Sequence, residues 1–65
     1  MNQEKQLADE LSKMIEEDQI PLSITEDIHE ISGSLRSGNM SLNDLKGKDA
    51  FIEKAINEAK SRLHM

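Results

Sequence analysis

Apolar residues recur along this chain at intervals of three and four, the spacing that gathers side chains on one face of an α-helix. They do so in three stretches. In the first, Leu7, Leu11, Met14 and Ile15 form one stripe, with Glu, Lys, Asp and Ser between them. Asp9 and Lys13 stand four apart, where opposite charges support a helix. The pattern predicts a helix over about residues 3–18 that stops ahead of Pro21, because a proline disfavours helical geometry in the residue before it. Ile20 and Leu22 flank that proline and are expected to plug the end of the core.

In the second stretch, Ile24, Ile28, Ile31 and Leu35 are spaced four, three and four. Ser23-Ile24-Thr25-Glu26 reads as a capping box in front of them, and Glu26 and Asp27 sit where the helix dipole favours negative charge. Ser32-Gly33-Ser34 interrupts the pattern with poor helix formers. Leu35 keeps the register, so the helix is expected to run through Gly33 to Arg36, the alternative being an end at the glycine. Gly38 then supplies a left-handed stop.

Ser41, with Asp44 three residues on, opens the third stretch. Leu42, Leu45, Ile52, Ile56, Ala59 and Leu63 make a seam, with Asp49 in a slot where an apolar residue would be expected. Lys46-Gly47-Lys48 is a place where this helix can split into a short turn and a longer helix from about Lys48. Glu58 and Arg62 form an i,i+4 pair. With no Val and a single Thr, little favours strands. The prediction is an all-α fold in one small domain, with helices at about 3–18, 23–36 and 41–63. Its architecture is a helical hairpin preceded by an N-terminal helix, open to dimerisation. Leu11, Ile15, Ile28, Ile31, Ile52 and Ile56 are the expected core.

Composition narrows what such a domain can do. The chain has 65 residues, one Phe, and no Cys, Trp or Tyr. A single core this small rarely supplies more than about 3–5 kcal/mol, and no disulfide or cysteine-based zinc site can add to it. Enzyme-scale pockets seldom fit in such a chain. The longest apolar run is Ala50-Phe51-Ile52, too short to span a bilayer, and the N-terminus lacks the apolar core of a signal peptide. The expectation is a cytoplasmic protein with no membrane association, of a size that suits a bacterial or phage protein.

The net charge is -5, divided unevenly: residues 1–30 carry -7 and residues 31–65 carry +2. The halves are matched for attraction within one fold or across a dimer. The plainer expectation is two solvated helix faces of unlike composition, since exposed ion pairs contribute little.

Few residues are arranged for chemistry. His29-Glu30 begins a zinc-protease motif, but Gly33 stands where the second histidine is needed. The glycines at 33 and 38 have phosphate-loop spacing, followed by Asn39-Met40 in place of the required Lys and Ser or Thr. Gly47 and Glu53 match two positions of a calcium loop, but Leu42 and Lys46 would then occupy ligand positions, and neither can bind calcium. Asp44, Asp49 and Glu53 have nothing to mark them as perturbed acids. No catalytic, cofactor-binding or metal-binding residue is assigned. A helix-turn-helix reading of the second and third helices meets an acidic balance, with a pI near 4.8, and no stacking aromatic beyond Phe51. Nucleic acid is therefore not the expected partner.

Leu35-Arg-Ser-Gly-Asn-Met-Ser-Leu-Asn-Asp-Leu45, followed by Asn57-Glu-Ala-Lys-Ser-Arg-Leu63, resembles the turn and late helix of the small subunit of exonuclease VII. The resemblance covers about half of the chain, and the two pieces stand closer together here. It implies a helical hairpin serving as a non-catalytic accessory chain.

The residues themselves favour a small, non-enzymatic regulatory protein that binds a larger protein and inhibits or modulates it, in the manner of an antirepressor, anti-sigma factor, antitoxin or phage host inhibitor. The alternatives are the accessory subunit, or a nucleic-acid binder or acidic DNA mimic. Ala50-Phe51-Ile52 and Ala55-Ile56 spread apolar groups over a wider arc than one seam needs. Phe51 and Ala55 are thus expected at a partner or homodimer surface, partly exposed, with the acidic run Glu16, Glu17 and Asp18 as the second candidate contact.

Overall fold

A computed structural model of the protein describes residues 2–45 and 47–65. It is the all-α three-helix domain that the spacing predicts: α1 (Gln3–Glu16), α2 (Leu22–Ser37), a short 3-10 turn (Leu42–Leu45) and α3 (Ala50–Arg62). The most extensive interface joins α1 to α2, and α3 packs against both.

Each helix begins and ends for local reasons. The side chain of Asn2 caps α1 by accepting from the N–H groups of Glu4 at 2.9 Å and Lys5 at 3.4 Å. The helix stops at Glu16, two residues short of the expected end, because Asp18 turns left-handed (φ 59°). The Gln19 N–H then donates to the Met14 carbonyl and that of Asp18 to Ile15, a Schellman closure. Gly38 (φ 84°) and His64 (φ 60°) close α2 and α3 in the same way, through Asn39 N–H to Ser34 and Met65 N–H to Lys60.

The start of α2 differs from the expected capping box. The helix begins at Leu22 behind Pro21, so Ser23 already lies within it and caps nothing. Pro21 suits this place because its fixed φ is near helical and its missing N–H costs nothing there. Its carbonyl accepts from the Ile24 N–H and from the Thr25 hydroxyl at 2.9 Å. Leu22 therefore does not plug the core. It stands two residues from the inward Ile24, about 200° around the helix, and is 91% exposed. Ile20 does fill the core end as expected. The helix continues through Gly33 to Ser37, and a Cβ on Gly33 would meet no atom within 4 Å.

The third segment does not form one helix from residue 41. Leu42–Leu45 make a 3-10 turn, and α3 starts only at Ala50. The Asp44 carboxylate accepts from the backbone N–H of Ser41 at 2.9 Å and from its hydroxyl at 3.2 Å. These bonds hold its pKa below the ordinary carboxylate value. Their stabilisation is present above the unfolded-state pKa and is lost as pH falls through the lower folded one. Asp49, which looked misplaced in an apolar seam, is the N-cap of α3 and accepts from the Phe51 N–H at 2.9 Å. Of the expected split at Lys46-Gly47-Lys48, Gly47 has a positive φ of 80°, and Lys46 lies outside the described residues.

The core is aliphatic. Leu7, Leu11, Met14, Ile28 and Leu35 are essentially fully buried, and Ile31 and Ile56 nearly so. Ile15 and Ile52, expected among the most buried, are only half-buried. Met14 takes the inward place at the end of α1, leaving Ile15 on the flank. Because α3 touches both other helices, its inward face centres on Ala55, Ile56 and Ala59 rather than on Ile52.

One polar residue enters this core. Ser32, 3% exposed, donates its hydroxyl proton to the Ala8 carbonyl of α1 at 2.9 Å. With that proton committed, the Ser12 hydroxyl is the donor in the 3.1 Å Ser12–Ser32 contact. A hydroxyl reaching backbone on the neighbouring helix requires that α1 and α2 come close, and Ala8 is small enough to allow it.

Two substitutions test this packing in opposite directions. Ile28→Ala should cost about 2–5 kcal/mol and largely unfold a domain of this size. Gly33→Ala, in an exposed helix interior with open space around it, should add up to about 1 kcal/mol. Thermal melts followed by circular dichroism should show the first falling far below the parent and the second rising a few degrees above it.

Candidate functional site

Few groups in this molecule are chemically unusual. Among the described residues no three His, Asp or Glu side chains converge as a metal site, and no buried side-chain polar atom lacks a partner. His29, Asp44, Asp49 and Glu53 are spread over the surface, the two aspartates engaged in local caps. Shallow clefts among the described residues include three of about 170, 90 and 270 Å³. All three fall below the roughly 300–1,000 Å³ of typical small-molecule pockets.

The largest of these three lies where the turn between α1 and α2 meets the first half of α3. Gln19 and Pro21 form one side, and Phe51, Lys54, Ala55 and Glu58 form the other. Phe51 is 66% exposed. Its position follows from the cap: Asp49 holds the Phe51 N–H in the first turn of α3, and Ala55 and Ile56, four and five residues on, face inward. Ala55 departs from the expected partial exposure, being buried at the cleft edge because α3 rolls its alanine face toward α1 and α2. The cleft lining holds Phe51 and Ala55 together with Gln19, Pro21, Lys54 and Glu58, which residue spacing did not single out. Leu22, next to Pro21 in the chain, places a second large apolar side chain in solvent at this turn.

The acidic run lies just before the same turn. Glu16, Glu17 and Asp18 are exposed, and only Glu17 is engaged with α3, accepting from the Arg62 guanidinium at 2.9 Å. Arg62 also pairs with Glu10 at 3.3 Å rather than with Glu58 in its own helix. The hydrogen bond from Arg62 to Glu17, aided by the charges of Glu17, Glu10 and Glu58, raises the Arg62 pKa above its ordinary value. Asp9 likewise turns from Lys13 to Arg36 of α2, at 2.6 Å. Every ion pair among the described residues joins an acid of α1, or of the turn at its end, to an arginine of the later half. The unlike halves therefore meet within the fold, and are not merely two solvated faces, because α1 packs against both α2, which carries Arg36, and α3, which carries Arg62.

The described lysines of the later half do not gather in one cleft. Lys48, Lys54 and Lys60 line three different clefts, each with at least one acid: Asp27 and Glu30, Glu58, and Glu53 respectively. Lys46 lies outside the described residues. No described helix is long and apolar enough to cross a membrane.

The sequence profile of the YgzA protein family matches residues 1–63. The YgzA protein of Bacillus subtilis (strain 168) is 41% identical over 63 residues, which cover 97% of this chain and 94% of that relative. No solved structure matches the chain. The chain belongs to the YgzA family.

Because Asp49 fixes the first turn that carries Phe51, Asp49→Ala should cost about 0.5–2 kcal/mol. Amide hydrogen exchange should speed up at Phe51 and Ile52 while the protection of Ile28 falls only by the global loss. Unchanged exchange at Phe51 would show that the ring is positioned by something other than the cap.

Proposed function

We propose that this member of the YgzA family is a non-enzymatic binding protein that docks on a larger protein through the cleft beside Phe51 and thereby modulates it. The exposure of Phe51 carries this reading. A chain with one aromatic residue and an apolar core cluster of Leu, Ile, Met and Ala leaves its largest apolar side chain in solvent. Burying that ring intramolecularly would stabilise a domain with little to spare, so its exposure is better explained by a surface that is covered in use. Cleft volumes below the usual ligand range, and the lack of a metal cluster among the described residues, favour a protein partner over a substrate. The dispersal of Lys48, Lys54 and Lys60 among acids argues against a nucleic-acid partner.

Phe51→Ser separates docking from folding. The variant should keep the helical signal and melt within a few degrees of the parent, since two thirds of the residue is already in solvent. In crosslinking capture from cell extract it should lose a protein that the parent retains. Identical capture by both forms would exclude Phe51 as the anchor, and unfolding of the variant would return the ring to the core.

A further inference from the structure

We propose that the cleft beside Phe51 receives a basic, apolar-anchored segment of a partner protein; the assignment rests on the docking reading and specifies its partner. The apolar part of the requirement comes from Phe51, from Ala55 at the cleft edge, and from Pro21 with exposed Leu22 beside it in the chain. The charge at this end of the molecule decides what can cover those groups. Among the cleft-lining residues Lys54 offsets Glu58. Glu10 and Glu17 share the single cation of Arg62, so that group retains an excess negative charge. Glu16 and Asp18, within three residues of Gln19 in the cleft, form no ion pair among the described residues. The cleft therefore adjoins, in the chain, two exposed acids that form no ion pair among the described residues, on a molecule whose net charge is -5.

Complementarity then selects the occupant. A segment with Lys or Arg beside an apolar anchor is steered toward this end and pairs with Glu16 and Asp18 on arrival. Its cations also gain from the face of the Phe51 ring. A second copy of the chain offers the same apolar groups but brings another -5 and sets like charges together.

Two synthetic amphipathic peptides with the same leucine spacing, one with Lys and one with Glu at the polar positions, test this. They are titrated into the isotope-labelled full chain at physiological salt. The Lys peptide should shift the amides of Gln19, Phe51, Lys54 and Ala55. Its affinity should fall at least about tenfold in Phe51→Ser and, separately, in the double variant E16K/D18K. Equal or tighter binding of the Glu peptide at the same amides would overturn the charge assignment while leaving the docking surface standing. Shifts confined to other faces, or none with either peptide, would overturn both. Self-association of the free chain in ultracentrifugation, with broadening at Phe51 and Ala55, would show a second copy to be the occupant and overturn the proposal.

Discussion

The close approach of α1 and α2 at Ser32 governs the rest of the molecule. A hydroxyl on α2 bonded to backbone on α1 sets the spacing of the two helices, with Ala8 opposite and Ser12 completing the hydrogen-bonded group. At that spacing aliphatic side chains and Met14 fill the interior, and α3 is admitted with its alanines, Ala55 and Ala59, turned inward. A core closed with small residues at two interfaces has no place for an aromatic ring. Phe51 is left on the first turn of α3, beside the gap between α3 and the turn that joins α1 to α2. The docking surface is thus a consequence of how the core is closed.

The charge pattern follows from the same arrangement. Because α1 contacts both other helices, its two flanks bring Asp9 to Arg36 and Glu10 and Glu17 to Arg62. These pairs are at least partly exposed and add little to stability. Their effect is on the surface field: the arginines are engaged by acids of α1 and of the turn after it, and Glu16 and Asp18, close in the chain to the cleft residue Gln19, form no ion pair among the described residues.

Much of this was legible in the residue spacing. Leu7, Leu11 and Met14, and Ile24, Ile28, Ile31 and Leu35, marked two helices and their inward faces, because large aliphatic residues at three- and four-residue intervals share one side of a helix and would fall on both faces of a strand. The exposure of Phe51 was legible from the width of the apolar arc on α3. What was missed turned on small or short side chains, whose burial leaves little hydrophobic signal. Ser32 looked like an interruption of a helix and makes its buried hydrogen bond to the backbone of α1. Ala55 looked marginal and is inward. Asp49 looked like a fault in a seam and is a cap. Ser23 and Glu26 satisfied a capping pattern that Pro21 pre-empted two residues earlier, and Leu22 was carried to the outer face with that shift. The cleft itself could not be read from spacing, since Gln19 and Pro21 meet Phe51 only through tertiary packing.

Urea denaturation of two Ser32 variants tests the helix spacing most directly. Ser32→Ala keeps the small volume and loses the hydrogen bonds to Ala8 and from Ser12, and should cost no more than about 3 kcal/mol. Ser32→Leu retains a good helix former but forces extra methylene groups between α1 and α2, and should cost about 1–3 kcal/mol beyond the alanine variant. If the leucine variant is as stable as the parent, α1 and α2 are not held at the distance described, and the exclusion of Phe51 from the core needs another cause.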